Sequence, residues 1–186
     1  MRPGPGEVLH FSEDPTIELF VPHVAATSRQ AEPYVWAVDR DQAPSYWFPR
    51  QCPRALAWTL PTTSEVDRER IVGAGCGDRV HAIEYGWWDA MRTTRLYAYR
   101  LPAAPFRPMA SSGADPHAQV ATVPVVPLGP PEPVGDLIEC HATAGIQLRL
   151  LDNLWPFWDR VIASTVGFSG IRLRNARPRP IGGQGR

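Results

Sequence analysis

The chain has 186 residues, 44% of them hydrophobic, 10% aromatic and 20% charged, which is enough apolar material for a sizeable core and too little charge for a disordered acidic or basic segment. Its formal net charge is zero and its 19 Lys-plus-Arg residues are all arginine, so no general field draws in nucleic acid or an anionic membrane. The lack of lysine also excludes Schiff-base catalysis, a lysine-activated nucleophile and a P-loop, because guanidinium stays protonated and non-nucleophilic.

Composition sets further bounds. Twenty-one prolines break the apolar runs, the longest of which, such as VATVPVVPLG, are too short for a transmembrane helix, and Met1-Arg2-Pro3-Gly4 leads into no apolar signal core. A cytoplasmic protein is expected. The three cysteines, Cys52, Cys76 and Cys140, form no CxxC pair and leave an odd count, which argues against a disulfide framework or a structural zinc site. The length suits one domain over 1–186 with loose tails at about 1–6 and 178–186.

In chain order, residues 8–11 read as a first strand that ends at the turn cluster Ser12-Glu13-Asp14-Pro15. Ile17, Leu19 and Phe20 then form an apolar lid. Residues 34–38, rich in aromatic and β-branched side chains, make a second strand, and 41–47 fit one helical turn. A strand over 55–60 follows. Thr62-Thr63-Ser64-Glu65 has capping-box spacing and predicts a helix over 63–72 that stops at the glycines. Strands are predicted over 79–85, 96–101 and 146–150, helices over 86–93 and 134–143, and a loop over 102–116. Residues 119–128 are extended and, with Pro124 and Pro127, suit an edge strand. Asp152 is expected to cap a last helix carrying Leu154, Trp155, Trp158, Val161 and Ile162. With no βαβ rhythm and no repeat, the class is α+β: short helices and one bent, mostly antiparallel sheet. Trp36, Phe48, Trp58, Ile83, Tyr97, Leu148, Leu154 and Trp158 are expected to be largely buried.

Few segments could carry chemistry. Ile71-Val72-Gly73-Ala74-Gly75-Cys76-Gly77 looks like a dinucleotide turn but has a charged helical pattern before it, Asp78 at the third glycine position and a strand after it, so it reads as a helix stop and loop. The histidines His10, His23, His81, His117 and His141 have no close ligand spacing, so a metal site would need a cluster made by the fold. Ser164, Thr165 and Ser169 with Arg172 and Arg174 read as a helix end and a solvated strand face rather than a phosphate site. Residues 10–54 are richer. His10 and Ser12, two apart on a strand, share a face. Trp36, Tyr46, Arg50 and Arg54 then place aromatic rings beside arginines on proline-stiffened backbone, a combination that holds planar anionic ligands by stacking and paired hydrogen bonds.

The strings LHFSEDPTIELFVPH, YVWAVD, YWFPRQCPR and GFSGIRLRNA resemble an uncharacterised bacterial family of unknown function across most of the chain. The first of them is also similar to ADP-ribosyltransferase-like folds, including RNA 2'-phosphotransferases, whose first strand carries His followed closely by Ser or Thr. That resemblance implies His10 and Ser12 as the first motif and Trp36 or Tyr46 as the aromatic that approaches nicotinamide. The family's late Glu has no match, and Glu139 or Gln147 would have to serve. The expectation is therefore a site with His10 and Ser12 as catalytic residues and Trp36, Tyr46, Arg50 and Arg54 as ligand-binding residues, taking a small anionic or nucleotide-like ligand, NAD among them. The alternatives are a non-enzymatic interaction module and an RNA contact through the five arginines of residues 172–186.

Overall fold

Residues 1–24, 32–75, 77–109 and 118–180 are described in the computed structural model. They form two compact units, one from Met1–Arg50 and Thr94–Cys140, the other from Gln51–Thr93 and His141–Arg186. The fold is α+β, with short helices and mostly antiparallel sheets.

The first unit holds two three-stranded sheets. In one, β1 (Glu7–Ser12) pairs antiparallel with β5 (Tyr97–Pro102), which also pairs with β8 (Glu132–Pro133); in the other, β7 (Gln119–Ala121) lies between β2 (Val35–Ala37) and β6 (Arg107–Pro108). The two sheets are joined where Leu9 and Val38 exchange backbone hydrogen bonds of 2.9 and 2.8 Å. Strand alternation turns Val8, His10 and Ser12 to one face opposite Leu101, Tyr99 and Tyr97. That face meets Val35, Ala37, Ala121, Val125 and Phe20 in the core. Phe20 and Val125 exchange two 2.9 Å backbone bonds, which fixes the chain after β1 over this core. Below it, the buried Tyr99 hydroxyl donates to the Asp14 carbonyl at 2.7 Å and accepts the Ile17 N–H at 3.0 Å. Of the expected lid, Ile17 and Phe20 pack inward and Leu19 is exposed.

The second unit is built on a four-stranded sheet in the order β10 (Gly167–Ile171), β3 (Arg54–Trp58), β4 (Arg79–Glu84), β9 (Ile146–Leu151), whose β4–β9 pair is parallel. β3 is buried along its whole length. Its Ala55 and Ala57, with Ala82, leave room on one face for α4 (Trp155–Ile162) and for Ile71, and Leu154 and Val161 seal that layer. The other face carries Arg54, Leu56 and Trp58 beside Ile83, His81 and Arg79. Full burial of a side chain such as Leu56 stabilises the unit by about 2 kcal/mol.

Several elements differ from the sequence reading, each for a local reason. The predicted strands lie in three sheets rather than one. The helix expected from 63 is capped by Ser64, whose Oγ accepts the Asp67 N–H at 3.2 Å; α1 (Glu65–Asp67) passes directly into a π-helical turn over Arg68–Val72. The helix expected from 86 is a 3-10 turn over Tyr85–Trp87 followed by α2 (Trp88–Thr93). α3 (Leu137–Thr143) begins three residues later than expected, where the Asp136 carboxylate accepts the N–H groups of Ile138 and Glu139. Asp152 caps no helix: it pairs with Arg177, Asn153 Oδ1 accepts the first N–H of α4, that of Trp155, at 2.9 Å, and the Glu84 carboxylate accepts the N–H of Leu154, the residue before the helix, at 3.1 Å. Only Gln119–Ala121 of the stretch 119–128 is strand, since Pro124 cannot donate to a ladder. β10 stops at Ile171 because Arg172 turns left-handed at φ 55°. Phe48, Trp58, Ile83 and Leu154 are buried, whereas Trp36, Tyr97, Leu148 and Trp158 are half-buried, Leu148 because β9 is an edge strand. The loop expected over 102–116 contains β6, and residues 110–116 lie outside the described residues.

Candidate functional site

His10 is the chemically distinctive residue of the first unit. Its ring lies 4.6 Å from that of Phe20, and its Nδ1 is 2.7 Å from the Trp36 carbonyl oxygen. A carbonyl only accepts, so Nδ1 carries the proton and donates. Burial among apolar groups, offset in part by this bond and reinforced by the charge of Arg50, pushes the imidazole pKa down to about 4. The ring is neutral at pH 7, and its Nε2 presents a lone pair that no group among the described residues occupies. The residue keeps part of its surface open to solvent. The site therefore offers a fixed acceptor with the charge of the exposed Arg50 near it.

The other expected site residues have distinct placements. Ser12 is buried, and its Oγ accepts the Asp14 N–H at 3.1 Å, closing the turn after β1. Asp14 extends that turn by accepting the N–H and hydroxyl of Thr16 at 2.8 and 2.6 Å. Trp36 meets His10 through its carbonyl. Its indole stands on the face of β2 opposite Val35 and Ala37, edge-on to Tyr34 at 5.9 Å, with its Nε1 buried and unbonded among the described residues. Tyr46 ends the 3-10 turn Ala43–Tyr46 and is half-buried. Arg50 is exposed, and its backbone N–H donates to the Glu13 carboxylate at 2.7 Å, which ties it to the turn beyond Ser12. Arg54 belongs to the second unit, where it is buried and donates to the Cys52 carbonyl at 3.0 Å.

In the second unit, the glycine-rich stretch is a structural turn. Gly73, at φ 70°, closes the π turn by donating to the Arg68 carbonyl. Arg149 donates to the carbonyls of Ile71 and Val72, and Gln147 also donates to Val72, so the amide of Gln147 is engaged in holding this loop. Glu139 is exposed on α3. Thr165 bonds the Asp67 carboxylate, and Ser164 bonds the helix end at Val161. Two arginines of the C-terminal stretch are matched with acids, Arg177 with Asp152 and Arg179 with Asp159, and Arg179 also lies 4.2 Å over Trp155. Burial raises the Cys52 thiol to about 12, which leaves it unreactive at neutral pH.

Two features of this unit were beyond sequence reasoning. His81 Nδ1 and His141 Nε2 face each other at 3.0 Å, both residues fully buried. Glu84, also buried, accepts three bonds from the backbone N–H groups of Leu154 and Arg177. These partners lie 60 to 93 residues apart in the chain, and no local pattern signals them. No group of three or more His, Cys, Asp or Glu placed to hold a metal occurs among the described residues, and none of their helices is long and apolar enough to cross a membrane.

The site is thus a tautomer-locked histidine within the first strand of an α+β fold. The chain belongs to a family of unknown function, DUF6886, whose model matches residues 9–176 and thus takes in His10, both sheets of the first unit except the first two residues of β1, and the four-stranded sheet of the second. Comparison with the curated proteins and with the solved structures gives no match.

Proposed function

We propose that the His10 site of the first unit binds a ribose-bearing anionic ligand, a nucleotide or NAD-type molecule. The observation that carries this reading is the locked Nδ1–H tautomer of His10. A neutral imidazole whose Nδ1 is committed to the Trp36 carbonyl can use Nε2 only as an acceptor, so its natural partner is a hydroxyl, as on a ribose, rather than a bare anion. Arg50 supplies the charge that a phosphate needs, and its tether to Glu13 holds it near the same turn. The His-x-Ser spacing and its similarity to ADP-ribosyltransferase-like folds support the same ligand class. Ser12, engaged in the turn, serves here as a positioning residue. Arg54 is no part of this reading, and no transfer step is assigned, since the Gln147 amide is occupied and Glu139 has no argued place in the site.

A thermal-shift and calorimetric screen with ADP-ribose, NAD, AMP and inorganic phosphate tests it. A ligand present at one hundred times its Kd adds about 2.7 kcal/mol of stability. Stabilisation by ADP-ribose or NAD, weaker stabilisation by phosphate, and loss of both in His10→Asn are expected. A screen in which none of the four stabilises the protein overturns the reading in favour of a non-enzymatic interaction module. Binding that survives His10→Asn moves the ligand elsewhere.

A further inference from the structure

We propose that the outward face of the segments 19–24 and 123–128 is a docking surface for a second copy of this chain. Ten large hydrophobic side chains stand exposed among the described residues, and six of them, Leu19, Val21, Val24, Val123, Val126 and Leu128, fall in these two short segments. Exposed apolar residues scattered singly are ordinary; such a concentration is not.

The backbone sets them side by side. Phe20 and Val125 form an antiparallel bridge and turn their side chains into the core, so their neighbours alternate outward, Leu19 opposite Val126 and Val21 opposite the exposed Pro124. Val24 and Val123 follow at one end of this pair of segments and Leu128 at the other. The face is also rigid. Backbone bonds exchanged between Phe20 and Val125 and between His23 and Tyr34, with a 2.8 Å bond from the Leu128 N–H to the Arg100 carbonyl, pin both segments. Pro22, Pro124 and Pro127 stiffen them further, so little freedom is lost on docking.

Charge and area point to the occupant. The only titratable side chain in 19–24 is His23, and 122–131 has none, so a charged partner finds little to pair with. The arginines and tryptophans that seat a protein on a lipid surface are missing from both segments. A face without fixed charge matches itself across a two-fold axis, and a chain of zero net charge meets no general repulsion from its copy. Each of the six side chains is 48 to 62% exposed. Together they offer about 500 Å² per copy, and joining two copies buries about 1,000 Å², the area at which a specific interface begins. The docked copy sits on the far side of 19–24 from Phe20 and the His10 ring that Phe20 packs against.

Sedimentation equilibrium of the full chain at neutral pH, from about 1 to 100 µM, tests this. The mass should rise with concentration to twice the 20.6 kDa of one chain and stop there. Val126→Glu and Leu19→Arg each set like charges into the joined faces and should weaken association at least about tenfold; either one reads the result if circular dichroism shows the other unfolded. Val66→Glu, at a valine 73% exposed on α1, should change nothing. A single-chain mass at the highest concentration, which leaves the face to a different partner, overturns the proposal. So does a mass that climbs past two chains, a dimer indifferent to the folded variants, or one that Val66→Glu weakens equally.

Discussion

Replacing His10 by Asn separates the ring's proton from its hydrogen bond. The Asn side-chain amide can occupy the place of Nδ1 and still donate to the Trp36 carbonyl, so the bond that joins β1 to β2 at this point survives. What disappears is the ring contact with Phe20, the Nε2 acceptor and the titration. At pH 8 the loss should be modest, about 1 kcal/mol for the aromatic contact. Acid should reveal the larger effect. His10 ionises near its ordinary 6.5 in the unfolded chain and at about 4 in the folded one. Between these values the unfolded chain takes up a proton that the folded chain refuses, so stability falls as pH drops from 6.5 towards 4 and falls no further below. Each tenfold difference in proton affinity is worth about 1.4 kcal/mol, which makes the wild type about 3 kcal/mol less stable at pH 4 than at pH 8 through this residue, somewhat less for the part of the ring that water reaches. Urea unfolding of wild type and His10→Asn at pH 8, 6, 5 and 4.5 reads the difference directly. The variant should start slightly weaker and lose less with acid, because the contributions of the other histidines cancel in the comparison. Parallel pH profiles would refute the argument that His10 is held neutral by burial.

Gly77→Ala should cost at least about 2 kcal/mol in a melt, since φ is 81° and the new Cβ would sit 2.0 Å from the Gly145 carbonyl oxygen; a cost below 0.5 kcal/mol contradicts that approach. Glu84→Ala strands the buried N–H of Leu154 and removes the acceptor of the part-buried Arg177 N–H, and should lower unfolding free energy by about 1 to 3 kcal/mol. Limited proteolysis should then cut earlier near 177, and an unaltered cleavage pattern would deny Glu84 its anchoring role. Tyr99→Phe removes one donor and one acceptor from the segment 14–17 and should cost about 1 to 2 kcal/mol, with faster amide exchange at Ile17 than in the wild type. Unchanged exchange there would mean that the hydroxyl does not hold the segment.

Local signals in the sequence were readable and long-range ones were not. Alternation and β-branching marked β1, β2, β4, β5 and β9, because a half-buried strand imposes a period of two on its own residues. The glycine stop at Gly73 was legible for a similar reason: a positive φ is a local demand. The two-residue strands β6 and β8 leave no period to detect, and β4–β9 pairing depends on a register that only the folded chain sets. The start of α4 shows the limit well. Asp152 looks like a cap in sequence, yet its neighbour Asn153 accepts the first N–H of the helix, and the carboxylate that accepts the Leu154 N–H arrives from Glu84, 70 positions away. At the site, the shared face of His10 and Ser12 followed from alternation, as did the opposite facing of the Trp36 indole from Val35 and Ala37, while the bond from His10 to the Trp36 carbonyl spans 26 positions.

Long-range proton–nitrogen correlation spectra of the His10 ring, recorded at pH 7 without and with ADP-ribose, test the central claim most directly. The free protein should show a neutral ring with the proton on Nδ1. Added ADP-ribose should shift Nε2, as expected for a lone pair that accepts a hydroxyl proton, and leave the Nδ1 proton in place. A ring protonated on Nε2 in the free protein, or an Nε2 resonance indifferent to saturating ADP-ribose, would contradict the account.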